Sequence, residues 1–463
     1  MRARGFFNML LESTAMPGST RVRFAPSPTG ALHIGGARAA LYNWLVARQS
    51  GGVMVLRVED TDRERSTPEN VEQILDALRW LEIDWDEGPI SQVERSGRHR
   101  EVLDDLLARG LAYRTQATAE DVKAFKLEHG DAAGYRGEPS ADGDGAVRLR
   151  VGASELVVRD LVRGETTFRA EHLDEPVIAR ADGTALYNFA VAVDDHDAGI
   201  THVIRGEDHL SNTPKQLLVY AALGAEPPAF AHLPLLHGHD GKKLSKRHGA
   251  ASVQELRAAG YLPAAVRNYL ALLGWGDIDS ETLISTAELI RRFDLARVSR
   301  NPARFDEPKL RWMNGRYLRE LSLDELTAEL ERFTGRGVLR AGVEISAEKI
   351  QTLADFWPLA GFLYDGPVDD AKARAKWLAA PEHREALADA RAALAAVEPF
   401  TVEAIDEALR GVVAAREVKA KDVFQPVRVA IAGTAASPGL FESLAVLGRE
   451  ESLSRIDAIL RGG

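Results

Sequence analysis

No cysteine occurs among the 463 residues of the chain. That excludes disulfides and thiolate zinc sites, and it fits a reducing compartment. Long apolar runs are missing as well. Nothing approaches the ~20 consecutive residues of a membrane span, so no membrane role is expected. Residues 1–20 hold a short apolar patch (Phe6, Phe7, Met9, Leu10, Leu11), but Glu12 follows and no small-residue cleavage site is evident. A secretory signal is therefore not expected. The stretch reads as a disordered extension, with Met1 and Met16 both open as the start. A positive surplus is absent too: 58 Lys and Arg against 69 Asp and Glu leave a net charge of −11. Global charge is nevertheless a poor guide where a single face does the binding. No internal repeat or low-complexity run is seen beyond Ala-rich helix. What remains is 45% hydrophobic and 27% charged, the balance of an ordinary globular protein. The length calls for three to five structural units, not one core.

Two short runs about two hundred residues apart carry the chemistry. The first extends from Arg23 through Pro26, Pro28, Thr29, Gly30 and His33 to Gly35-Gly36. Val22 to Phe24 reads as the end of a strand. Two prolines and Gly30 force a turn, and Ala37, Leu41, Trp44 and Leu45 repeat at helical spacing. A strand, a Gly-rich turn and a helix N-terminus make a phosphate site, because unpaired N–H groups and the helix dipole face one spot. His33 can donate to a phosphate oxygen. The second run is Lys242-Lys243-Leu244-Ser245-Lys246-Arg247. It can bring positive charge to a pentavalent phosphorus. Either run alone is weak, and a lysine-rich loop is by itself most simply a solvated one. Together they point to nucleotidyl chemistry on ATP.

With Arg57-Val58-Glu59-Asp60-Thr61-Asp62-Arg63 and Val203-Ile204-Arg205-Gly206-Glu207-Asp208 between them, these motifs resemble those of class I aminoacyl-tRNA synthetases, and specifically the bacterial glutamyl branch. The class-wide first motif ends in a second histidine. Gly36 holds that place here, as is usual in the glutamyl branch. The resemblance runs from about Arg21 to the C-terminus. It implies a glutamate–tRNA ligase using ATP, with Mg²⁺ arriving on the phosphates, and glutamate and tRNA-Glu as the other partners. A monomer in the cytoplasm is expected. Some relatives carry a Cys-x-Cys pair just after the Tyr-Arg matching Tyr113-Arg114. Thr115 and Ala117 stand there in this chain, so no zinc is expected and no metal ligand is assigned.

The implied reaction proceeds by carboxylate attack on the α-phosphorus and then by transfer to tRNA, with no protein nucleophile. Catalysis is then positioning plus electrostatics, with His33, Lys243 and Lys246 as catalytic residues. The resemblance places ATP at Pro28, Thr29, Gly30, His33, Gly35, Gly36, Lys243, Leu244, Ser245, Lys246 and Arg247. It places glutamate at Arg23, Ala25, Ser27, Glu59, Tyr187 and Arg205. The guanidiniums of Arg23 and Arg205 suit the planar side-chain carboxylate, and Glu59 suits the ammonium. Val191 stands where some relatives have asparagine and is left out. His196, His202 and His209 are expected to be structural.

Along the chain, residues 21–110 alternate strand and helix. Val53–Val58 reads as a buried parallel strand, and Thr67-Pro68 as the start of a helix with an Ile74, Leu75, Leu78 stripe. The expected fold is α/β: a Rossmann-type doubly wound parallel sheet in two halves, 21–110 and 186–255, with ligands at the carboxyl ends of its strands. An inserted α+β acceptor-stem-binding domain is expected over 111–185. The sheet is expected to resume with strands at Leu186–Val193, Thr201–Arg205 and His232–Leu236. After Ala251 strands vanish. Residues 256–315 are expected to be a helical tRNA stem-contact region and 316–463 an all-helical anticodon-binding domain, broken into two parts near Gly366-Pro367. Nine basic residues against three acidic ones lie between Arg291 and Arg319. From these and the tail, Arg291, Arg292, Arg297, Arg311, Arg316 and Lys349 are the tRNA candidates. Two alternatives stay open: a non-discriminating enzyme that also charges tRNA-Gln, and a catalytically inactive RNA-binding paralogue. The intact motif residues argue against the second, and the length and tail argue against a small adenylyltransferase.

Overall fold

The computed structural model describes residues 20–62, 65–152, 155–244, 252–276 and 282–462. The expectations placed on residues 1–19 and on Ser245, Lys246 and Arg247 lie outside the described residues. Two compact units make up the chain. One runs to Glu255 and adds Val266–Glu307; the other takes Leu256–Ala265 and continues from Pro308.

The strands of the first unit are, in chain order, β1 (Arg21–Phe24), β2 (Val53–Val58), β3 (Glu87–Ser91), β4 (Ala112–Thr115), β5 (Ala146–Leu149), β6 (Glu155–Asp160), β7 (Gly164–Arg169), β8 (Val177–Ala179), β9 (His202–Gly206) and β10 (Ala229–Leu233). Seven of them form one sheet in the order β3-β2-β1-β9-β10-β6-β7. All neighbours run parallel except the hairpin partner β7. Val22, Met54, Val55, Leu56, Val203 and Ile204 are essentially without solvent exposure, the continuous apolar pattern of strands covered on both faces. The Ile34–Ser50 helix buries Ala37, Leu41, Trp44 and Leu45 and stops at Gly51 in a left-handed conformation. Thr67 caps the Pro68–Trp80 helix through its side chain. The strand order places β1 between β2 and β9. The chain therefore leaves β1 toward one side and returns on the other, which opens a crevice at their carboxyl ends.

Three sequence expectations change here. Leu186–Val193 is not a strand: Tyr187–Asp197 is a helix. Phe189 to Val193 is apolar throughout and wholly buried, and such a run fits a buried strand and a buried helix equally well. The segment 111–185 is not one inserted body. Only β4, β5 and β8 form a separate antiparallel sheet, whereas β6 and β7 extend the main one. Strands also do not end at Ala251, because Ala303–Arg304 pairs with Leu236–His237.

In the second unit the described residues from Pro308 onward form helices and their connections. Ser322 and Glu325 make a reciprocal cap on the Leu323–Thr334 helix. Gly366 is a chain break in helical terms but does not divide the packing. One apolar cluster joins Leu326, Leu330 and Phe362 to Val427, Ile431 and Ile456, and the Arg455 guanidinium donates to the carbonyls of both Phe362 and Ile431. The region expected over 256–315 is divided as well, since Val266–Glu307 belongs to the first unit.

Candidate active site

A cavity of about 460 Å³ opens at the carboxyl ends of β1 and β9, within the usual range for small-molecule sites. All six residues expected to hold an amino acid line one part of it: Arg23, Ala25, Ser27, Glu59, Tyr187 and Arg205. Thr29, Gly30, His33, Gly35, Gly36, Lys243 and Leu244 line another. Pro28 does not; it is buried beneath the turn.

The amino-acid end is a buried charge cluster. Arg23 Nε donates to Asp195 Oδ2 at 3.2 Å, and Arg57 Nη1 donates to Asp195 Oδ1 at 2.6 Å. Arg57 Nη2 also reaches Glu59 at 3.5 Å. Arg205 has no carboxylate against it. Its Nε meets His232 Nε2 at 3.1 Å and its Nη2 donates to Thr213 Oγ1 at 2.9 Å. Its Nη1 is buried with no hydrogen-bond partner. Burial, and then the like charge of Arg23, lower the Arg205 pKa to about 10. Burial raises the Glu59 pKa against the pull of Arg57 and Arg23. Asp195 goes the other way: despite the cost of burial, Arg23 and Arg57 lower its pKa. Arg23, Arg57, Glu59, Asp195 and Arg205 are each under a tenth exposed. Among these five residues three cations stand against two carboxylates, while Asp194, which also acts on Arg57, is matched by Arg95; a positive excess of this kind calls for an anion.

The nucleotide end is made mostly of backbone and helix terminus. Gly30 adopts φ +138°, a conformation in which other residues are strained, while no atom crowds its missing Cβ. Backbone freedom is therefore the reason for glycine there. His33 is the N-cap of the Ile34–Ser50 helix, and its Nδ1 accepts from Gly35 N–H at 3.1 Å. An accepting Nδ1 puts the proton of the neutral ring on Nε2, and the Leu244 backbone is a hydrogen-bond partner of the ring. Desolvation, followed by the Lys243 charge, lowers the His33 pKa, so the ring is neutral at pH 7. The expected role of Gly35 is modified accordingly. Its N–H is taken up by the cap, while Gly36 N–H remains among the first-turn donors that a helix cannot pair internally. Leu244 N–H bonds Leu236 carbonyl at 2.8 Å, and this brings Lys243 to the cavity wall, its Nζ 3.8 Å from Asp208.

The catalytic-domain model of the tRNA synthetases class I (E and Q) matches residues 19–312, and an anticodon binding domain matches residues 314–460. The chain belongs to the class I tRNA synthetases (E and Q). It is 46% identical to the glutamate–tRNA ligase of Bradyrhizobium sp. (strain ORS 278), over 96% of this chain and 98% of the relative. It is 44% identical to glutamate–tRNA ligase 1 of Alkalilimnicola ehrlichii, over 95% and 97%. A crystal structure of a glutamate tRNA ligase from Elizabethkingia meningosepticum in complex with its amino acid superposes with a TM-score of 0.82 at 29% identity, covering 96% of this chain and 99% of that one.

Within this synthetase fold, the site contains residues that the sequence reading missed. Asp195 is the centre of the arginine cluster, and Tyr187, Val191 and Asp195 follow one another at the i, i+4, i+8 spacing of a single helix face. That signal existed but was hidden by reading the run as a strand. Its neighbour Asp194 faces elsewhere, to His99, Gln92 and Arg95, and anchors the helix. Val191 is fully buried and does not line the cavity. His209, expected to be structural, lines the cavity with its Nδ1 3.1 Å from the Tyr187 hydroxyl.

The tRNA candidates are divided between the two units. Arg291, Arg292 and Arg297 lie in the first unit, and Arg311, Arg316 and Lys349 in the second. Arg291 pairs with Glu288 one turn away at 2.6 Å, and Arg297 lies over the Trp275 ring. Arg311 makes a two-pronged contact with Asp355 at 2.7 and 2.8 Å. Arg316 is exposed. Lys349 Nζ donates to Ser437 carbonyl at 3.1 Å. Among the described residues no group of three His, Asp or Glu could hold a metal ion, and no helix is long and apolar enough to cross a membrane.

Proposed function

We propose that this synthetase is a glutamate–tRNA ligase whose buried arginine cluster selects glutamate by charge. The observation that carries this reading is Arg205, buried, without a carboxylate partner, and with Nη1 unpaired inside a cluster of net charge +1. Glutamate at neutral pH brings two carboxylates and one ammonium. Its net −1 neutralises the cluster, with the side-chain carboxylate at Arg205 and Arg23 and the ammonium at Glu59. Glutamine has nearly the same shape but no net charge, and would leave the buried excess uncompensated. Such a mismatch costs several kcal/mol.

The α-carboxylate then attacks the α-phosphorus of ATP. The bond to the bridging oxygen breaks, pyrophosphate leaves, and glutamyl-adenylate remains. The 2′-hydroxyl of the terminal tRNA adenosine attacks the mixed anhydride and releases AMP. His33 Nε2–H and Gly36 N–H hold phosphate oxygens in this reading, and Lys243 with Lys246 neutralises charge building on them. Mg²⁺ is carried by the triphosphate and water, and among the described residues no His, Asp and Glu cluster could cage it. The helical unit reads the tRNA anticodon, with Arg311, Arg316 and the first unit's Arg291, Arg292 and Arg297 near phosphates. The enzyme works as a monomer in the cytoplasm.

Arg205→Gln tests this reading through pyrophosphate exchange with tRNA present. Glutamate kcat/KM should fall about 100-fold or more while the ATP KM stays within about twofold. Movement of the ATP constant alone would mean that the cavity has been assigned to the wrong ligand.

A further inference from the structure

Arg205 is held by a chain of three neighbouring strands. Asp160 ends β6, His232 lies on β10, and Arg205 lies on β9. His232 and Arg205 are register partners, so their side chains emerge side by side on one face. Asp160 is the register partner of Phe230, two residues before His232. The hydrogen bonds follow that layout. Asp160 Oδ2 lies 2.5 Å from His232 Nδ1, and His232 Nε2 lies 3.1 Å from both Arg205 Nε and Thr213 Oγ1. Both His232 and Thr213 are wholly buried.

The protonation follows from donor chemistry. A guanidinium has only donors, so His232 Nε2 must accept from it. Nδ1 then carries the ring proton and gives it to Asp160. That carboxylate is fixed in turn by the backbone N–H groups of Val162 at 2.9 Å, Arg163 at 2.7 Å and His232 at 3.1 Å. The result is a neutral ring with a single tautomer. Its acceptor orients the guanidinium by one edge and adds no negative charge beside it.

We propose that His232, oriented by Asp160 and assisted by Thr213, is a positioning residue for amino-acid selection: it fixes one edge of Arg205 through a neutral acceptor, so that the guanidinium stands at the cavity wall with no carboxylate in contact with it. A carboxylate in the same place would hold the arginine equally well but would cancel the charge that distinguishes glutamate from glutamine. The inference rests on the glutamate reading given above. It also gives the β6–β7 hairpin a part in the active site, because Asp160 comes from that hairpin.

The test uses the full-length enzyme with tRNA, measuring glutamate- and glutamine-dependent pyrophosphate exchange, the ATP KM and the melting temperature. His232→Leu removes the acceptor, His232→Asn restores a neutral one, and Thr213→Val removes the second contact with little change of shape. Leu should raise the glutamate KM about tenfold or more, the weight of a hydrogen bond to a charged group. It should narrow the glutamate-over-glutamine preference by a similar factor and leave the ATP KM within about twofold. Asn should recover most of that loss, and Thr213→Val should move the same constants by less. If Leu folds poorly, the Thr213→Val split between glutamate and ATP constants decides. Equal changes in both constants, or a fall in melting temperature with the amino-acid preference intact, would overturn the proposal and leave His232 a structural residue. A wild-type enzyme inactive with glutamate would instead overturn the glutamate reading itself.

Discussion

The two ends of the cavity hold charge in opposite ways. At the amino-acid end Arg23, Arg57, Glu59 and Asp195 are buried and linked by ion pairs across the sheet and the Tyr187–Asp197 helix, with Arg205 buried beside them on His232 and Thr213. At the nucleotide end, among the described residues, Lys243 pairs with Asp208, and their side chains are 64% and 51% exposed. There the remaining groups come from a turn and a helix N-terminus. The difference matches what each ligand requires. A small amino acid must be told from a near-isostere, which demands dry and fixed charges. A triphosphate is recognised by its own large charge, and its neutralisation matters most as the transition state forms.

Asp195 gives the hardest test of that contrast. It is the common partner of Arg23 and Arg57, so Asp195→Asn leaves two buried guanidiniums facing an amide. Breaking a buried pair typically costs about 3–5 kcal/mol. The urea unfolding midpoint should fall accordingly, and glutamate use should be lost in whatever remains folded. A variant of near wild-type stability would mean that the cluster is not the closed charge system described here.

Asp195 also marks how far the sequence could be read. Gly30, His33 and Lys243 were legible from a turn, a helix start and a basic run, Glu59 and Arg205 only through the resemblance of their motifs to a family, and the cavity brings all five together. The parallel strand at Val53 was legible from its near-continuous apolar run. Asp195, His232 and Asp160 were not, because their roles are created by register between strands far apart in sequence. The Tyr187–Asp197 helix was missed for a related reason: burial on all sides removes the periodicity that separates helix from strand. The division of the 256–315 segment between two units is likewise a matter of long-range packing that composition does not report.

At the nucleotide end the expected effect is on rate, not on stability. Lys246→Ala should slow glutamate activation about 100- to 1000-fold, roughly 2.7–4 kcal/mol, with little change in the unfolding midpoint. Pre-steady-state formation of the adenylate measures the step directly. Near-normal pyrophosphate exchange in the presence of tRNA would remove the lysine run from the mechanism. A large loss of stability would erase the contrast between the ends.

A smaller effect separates the titrating groups. Burial lowers the pKa values of His33, His202, His209 and His232. The unfolded chain therefore takes up their protons first, near pH 6.5. Where the unfolded state binds more protons, stability rises with pH, so it should decline as pH drops through that window. Asp160, Asp194 and Asp195, whose pKa values are lowered, add their loss only near pH 4 and below, as the unfolded carboxylates protonate first. Glu59, whose pKa is raised, works in the opposite sense. Unfolding midpoints should thus fall between pH 7.5 and 5.5, before any carboxylate effect. A flat profile over that range would contradict the assignment of neutral, desolvated imidazoles.

The smallest change is expected at Asp208. Its contact with Lys243 is 3.8 Å long and open to water on both sides, so solvent screening and side-chain entropy cancel most of the attraction. Exposed pairs of this kind contribute about 0–1 kcal/mol. Asp208→Asn keeps the size of the side chain and removes only its charge. The unfolding midpoint should shift by less than about a third of the shift produced by Asp195→Asn, and the shift should shrink further as salt is raised. Equal losses from the two substitutions would show that charge at the nucleotide end is as deeply built into the fold as at the amino-acid end. The selective role assigned to the buried cluster would then need another physical basis.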